Sequence, residues 1–169
     1  MITFDIDDDD VRAALGRLRD KVGEAGMRPA MVAIGELITE TTKQRFSSST
    51  APDGSRWAPN ARSTLERLLA KTTGGVGKRG KISAKGSATM IGKKPLVATE
   101  QLARTIRYQM IPGGVAVGTD RLADLFAAGA AVHQFGSKDG HIPARPFLGL
   151  SDGDNSAVLR IIERHLSEK

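Results

Sequence analysis

The sequence predicts an α+β domain: a helical N-terminal part and a small, mostly antiparallel β-sheet flanked by helices, with a long basic loop or β-arm between them. Three observations predict it. Apolar residues recur at helical spacing through the first 46 positions. Alternating residues flank a Pro-Gly-Gly turn between 105 and 119. A stretch dominated by Gly, Lys, Ser and Thr separates the two parts at 72–94.

The first helix is read from Val11, Leu15, Leu18 and Val22, one face of a 3.6-residue period. The acidic run Asp5, Asp7, Asp8, Asp9 and Asp10 precedes it, where carboxylates cap free N–H groups and oppose the helix dipole. A calcium loop would need a mid-run Gly and a closing Glu, and neither is present. Gly26 and Pro29 are expected to break this helix from a second, about Ala30 to Phe46, with Met31, Ile34, Leu37, Ile38 and Thr41 as its apolar stripe, giving either a helical hairpin or one kinked helix. Lys43, Gln44 and Arg45 suit the negative end of its dipole.

Pro52-Asp53-Gly54 is a turn signal, and Trp57, the only tryptophan, follows it. Trp57 reads either as a core-edge residue pinning the turn to the helices or as an anchor for a partner. Thr99-Glu100-Gln101-Leu102 reads as a capped helical turn. Next, Ile106, Tyr108 and Met110 alternate on one face, Pro112-Gly113-Gly114 turns, and Val115 to Thr119 returns as a hairpin. Asp120 is expected to cap a helix through Leu122, Leu125, Phe126, Ala130 and His133, ended by Gly136. Ala144 to Leu150 is a strand candidate, confined to a sheet edge or an intersubunit contact by Pro143 and Pro146. A last helix starts at Ser151 or Asp154 and carries Val158, Ile161, Ile162 and Leu166. At 169 residues the chain reads as one domain. It has a helical part at 1–47, the flexible basic arm at 72–94, and sheet and helices at 95–169.

Composition excludes several chemistries. With no cysteine there is neither a disulfide framework nor a thiolate metal site. A metal site at His133, His141 or His165 would need a third ligand on converging elements, and they form no i,i+4 pair, so no metal site is predicted. No Gly-x-Ser-x-Gly elbow occurs. Gly74-Gly75-Val76-Gly77-Lys78 resembles part of a phosphate loop, but Arg79 stands where Ser or Thr would bind the metal. No catalytic residue, cofactor-binding residue or cofactor is therefore expected, and the chain is not read as an enzyme. His133 is expected to bond to backbone or across an interface. No apolar run approaches the ~20 residues of a membrane span, and no signal-peptide pattern opens the chain. An intracellular protein with no membrane contact is expected.

The net charge is +6, and from Arg56 to Arg107 twelve Lys and Arg residues face only Glu66 and Glu100. Such a balance suits nucleic acid or an acidic partner. No aromatic residues interleave with the bases as stacking platforms would, which leaves nonspecific attraction to phosphates.

Three blocks in one order resemble the phage virion-morphogenesis, or tail-completion, family of Mu-type contractile-tailed phages. They are Ala51-Pro52-Asp53-Gly54 with Trp57, then Val132-His133-Gln134-Phe135-Gly136, then Ala144-Arg145-Pro146-Phe147-Leu148-Gly149 before a helix ending Arg164-His165-Leu166. The resemblance covers nearly the whole chain. It implies a structural virion component assembled in the host cytoplasm, which completes or terminates the tail and supports head–tail joining. It also implies a homo-oligomeric ring, typically sixfold, touching tail-tube and neck or connector proteins. The long Gly/Lys loop departs from the family pattern.

The expected contact residues are Trp57, His133, Gln134, Phe135, Arg145 and Phe147. Arg145 is the central one, since its planar fork can bond a carboxylate or two carbonyls of a neighbour. The Asp-rich N-terminus and the basic middle carry opposite charges that could meet across subunits. Two rivals are a nonspecific DNA-contacting head–tail connector and, more remotely, a phage hydrolase.

Overall fold

The computed structural model describes residues 9–77, 80–97, 101–119 and 129–168. Helix α1 spans Asp9–Val22 and α2 spans Glu24–Ser48. The joint between them is the single residue Gly23, not the expected Gly26 and Pro29, which both lie inside α2. The physical reason is local. Pro29 falls near the start of α2, where its missing N–H forfeits a single backbone bond. Gly26 lets the helix pass the end of α1, since a Cβ there would collide with the Asp20 and Lys21 carbonyls. Asp9 and Asp10 occupy the first turn of α1, as their charge predicts. Asp5, Asp7 and Asp8 lie outside the described residues.

Helix α2 is the axis of the fold. Strands β1 (Ile106–Ile111) and β2 (Gly114–Thr119) form the expected antiparallel hairpin, with Tyr108 opposite Val117 and Ile111 opposite Gly114. Ile106, Tyr108 and Met110 point inward while Arg107, Gln109 and Ile111 point out, so the period-2 reading holds. The hairpin lies on α2 at Gly35. A Cβ there would stand 2.6 Å from Cγ of Tyr108, so only glycine admits the ring. That position carries no signal in a sequence read for apolar stripes.

The segment at 62–94 is more helical than expected. Helix α3 (Arg62–Lys71) was not anticipated, although Leu65, Leu68 and Leu69 share a face and Arg62 pairs with Glu66 at 2.8 Å. The arm expected at 72–94 contains α4 (Ala84–Ile91), whose N-cap Ser83 accepts the Gly86 N–H. A bridge between Val76 and Ile82 closes the loop before it. Leu69 is buried, and its Cδ1 sits so close to Gly86 that no larger residue fits there. This small local core is why the stretch folds despite its composition. Lys78 and Arg79 lie outside the described residues.

Helix α5 (Gln101–Arg104) is the described part of the expected capped turn; Thr99 and Glu100 are outside it. Helix α6 (Ala130–Phe135) ends at Gly136 as predicted, while the expected cap Asp120 and Leu122, Leu125 and Phe126 also lie outside the described residues. Helix α7 (Asp152–Ser167) starts from N-cap Ser151 and packs along α2. The main core gathers at the far end of α2, where Phe46, Ala51, Trp57, Ile106, Ala130 and Phe147 are buried together. Phe46 stands edge-on to Trp57 and tilted against Phe147, both with ring centroids 5.4 Å apart.

Candidate functional site: the 132–150 segment and the surface around it

The strand expected at 144–150 does not form: among the described residues these pair with no other strand. Pro143 and Pro146 have no N–H to give to a ladder. Side chains replace it. Gln134 Oε1 accepts the N–H groups of Phe147 and Leu148, both at 3.0 Å, and its Nε2 donates to the Leu148 carbonyl at 2.9 Å. One amide thus does the work of a neighbouring strand. Trp57 Nε1 donates to the Pro146 carbonyl at 2.8 Å. Arg45 Nη1 donates to the carbonyls of Phe147 and Gly149, at 2.9 and 2.8 Å. The His133 carbonyl accepts the Arg145 N–H at 2.7 Å.

Arg145 points inward rather than toward a neighbour. Its Nε donates to the Ala58 carbonyl at 2.8 Å and its Nη2 to the Pro59 carbonyl at 2.7 Å. The two-point chemistry expected of this guanidinium is present, but its partner is the loop after Trp57 in the same chain. Burial lowers its pKa, from a starting value high enough that the charge survives.

Arg45 also forms a buried ion pair with Asp154, Nη2 to Oδ2 at 2.5 Å. Asp154 closes a capping box, accepting from the Ser151 backbone N–H at 2.9 Å and hydroxyl at 2.8 Å. Burial alone would raise this carboxyl. The Ser151 bonds, the Thr41 hydroxyl and the Arg45 charge outweigh it and hold the carboxyl below its usual range. Neither Arg45 nor Asp154 stands out as a site residue in the sequence. The available signal was position: Arg45 continues the stripe Ile34, Ile38, Thr42 at helical spacing, so a residue read as a dipole partner faces the core.

After Phe135 the chain reverses at Gly136, whose φ of +83° and close approach to Ala144 exclude a side chain. Ser137 to Ile142 then form a tight turn. Asp139 accepts from the Ser137 hydroxyl and the His141 N–H, and lies 3.2 Å from His141 Nδ1. The first of these bonds leads in lowering its pKa. The turn is exposed, so this pair contributes little. His133 Nδ1 is buried with no partner among the described residues. Burial first, then the Arg145 charge, lowers its pKa, so the ring is neutral near pH 7.

Of the six expected contact residues, Trp57, Arg145 and Phe147 are buried and have little surface to offer a neighbour. Gln134 and His133 are half-buried, Gln134 occupied by the segment just described. Phe135 differs: it is 79% exposed, a large apolar side chain with no core to fill. Helix α1 has no buried residue, and its whole stripe Val11, Leu15, Leu18 and Val22 is more than half exposed. No group of three or more His, Asp or Glu among the described residues is placed to hold a metal ion. No described helix is long and apolar enough to cross a membrane.

The clasped segment unites the three sequence blocks: Trp57 and the loop after it, the α6 end, and Arg145 to Gly149 are hydrogen-bonded to one another. Residues 6–167 match the model of the phage virion morphogenesis family. The chain belongs to the phage virion morphogenesis family. Membership points to a structural, virion-associated assembly role and away from catalysis. No curated protein and no solved structure matches the chain. For a member of the virion morphogenesis family, the blocks that carry the resemblance serve first as an internal brace. The surfaces left over are those available for assembly.

Proposed function

We propose that this virion morphogenesis protein completes or terminates the tail of a contractile-tailed phage and supports head–tail joining, acting as a ring oligomer, with sixfold symmetry matching the tail. The observation that carries this reading is the exposed apolar stripe of α1. A helix with no fully buried residue that keeps four large apolar residues more than half exposed on one face is built to be covered by a partner. The largely exposed Phe135 beside the clasp adds a second such feature. A ring subunit needs two unlike surfaces, because head-to-tail contacts close the cycle. The partners are then neighbouring copies, tail-tube proteins and neck or connector proteins, with the protein located in the tail or neck of the virion.

Electron microscopy of particles made without this protein tests the reading. Filled heads beside unattached tails are expected. Normal joined particles would sink it. The second reading, nonspecific contact with genomic DNA, draws on the basic excess between Arg56 and Arg107. It predicts duplex binding by the monomer that weakens steeply with salt.

A further inference from the structure

Two apolar features lie at opposite ends of α2. At its start is the exposed stripe of α1, introduced by Asp9 and Asp10 and preceded in the sequence by Asp5, Asp7 and Asp8. At its other end an open groove of about 460 Å³ has an apolar floor that includes Phe46, Leu96, Val97 and Ala103, and a rim with Lys43 and Lys94. Lys94 is held over α2 by its bond to the Ser47 carbonyl, 2.7 Å away. The rim is basic, with Arg104 beside the two lysines, and no acid is among the described residues that line the groove.

Glu24 and Phe46 are separated by roughly 30 Å along the helix, at ~1.5 Å per residue. Helix α1 packs against the near end of α2, so it cannot turn back to fill the groove of its own chain. The two features are complementary in both respects that matter. The stripe can fill an apolar floor, and the acidic helix start can meet the lysine rim. Charge also favours one direction: Arg17, Arg19 and Lys21 outnumber Asp20 at the other end of α1, so the Asp end suits the lysines better.

We propose that α1 of one copy docks in the groove at the far end of α2 of a second copy, with its Asp-rich start over Lys43 and Lys94. The contact is heterologous, each copy giving a helix and receiving one, so it propagates into a ring or a filament. This deepens the ring reading above and rests on it.

The test is sedimentation of the full chain with two variants. Leu15→Asp with Leu18→Asp spoils the helix face, and Lys43→Glu with Lys94→Glu spoils the groove rim. Each alone is expected to reduce the native oligomer to monomer. An equal mixture should give a complex of two, because one intact helix and one intact groove remain. Adding Asp9→Lys and Asp10→Lys to the groove variant should restore association. The helix variant should melt like the native chain, since its altered residues are exposed. Variants that keep the native mass, or a mixture that stays monomeric, would overturn the docking while leaving the ring reading standing. A native chain that is monomeric at every concentration would overturn both.

Discussion

Arg45, near the end of α2, holds Asp154 at the start of α7 in a buried ion pair, 109 residues away in the sequence. The same guanidinium takes the carbonyls of Phe147 and Gly149. One side chain therefore binds the last helix, the clasped segment and the central helix together. Buried charges persist only where every valence is met, and here Ser151 supplies the carboxylate's remaining bonds.

Breaking this pair should be costly. Asp154→Ala is expected to lower stability by about 3–5 kcal/mol, the usual result of leaving one buried charge alone. Arg45→Ala should cost at least as much, because two carbonyls lose their donor as well. Urea unfolding midpoints check both. Either variant melting like the native chain would show that the pair is solvated.

Gln134→Leu keeps the shape of the side chain but removes one acceptor and one donor. It should cost about 2–4 kcal/mol, since the Phe147 and Leu148 amides are left without partners. Gln134→Glu keeps the acceptor and should fall between the two. Hydrogen exchange at those two amides is the direct measurement, with faster exchange expected in the Leu variant.

Arg145→Ala should destabilise the monomer by about 2–4 kcal/mol, from the loss of two bonds made by a charged group. Arg145→Lys should recover only part, as a single ammonium lacks the planar fork. Thermal melting of the isolated chain decides this. An Ala variant that folds normally and fails only in association would restore the intersubunit role read from the sequence.

His133 predicts a pH dependence. Its folded pKa is lowered from the usual ~6.5, so the unfolded chain binds the proton more readily. Its contribution is fully present above ~6.5 and is lost as pH falls from there through the folded value. Asp154, lowered from the usual ~3.9, gives way only in more acid solution. His133→Asn should therefore flatten the stability curve just below pH 6.5 and leave the acid limb unchanged. Denaturation midpoints across that range test it; a curve of unaltered shape would remove His133 as the source.

The sequence by itself determined the elements whose signal is local. The hairpin at 106–119 follows from alternation around Pro112-Gly113, the α6 end from Gly136, and the α7 start from Ser151 and Asp154. The family was legible too, because its blocks are short runs of neighbouring residues. The direction of side chains was not. Trp57 is buried, as its reading as a core-edge residue has it, but Arg145 has the chemistry of a contact residue, and only the packed chain puts carbonyls of its own within its reach. The segment from Ala144 to Leu150 has the composition of a strand, and tertiary structure decided otherwise, because Gln134, Trp57 and Arg45 arrive from distant positions to take its backbone groups. A pattern of residues states which bonds a segment needs. Which partner meets them depends on contacts across a hundred positions, and periodicity carries no information about those.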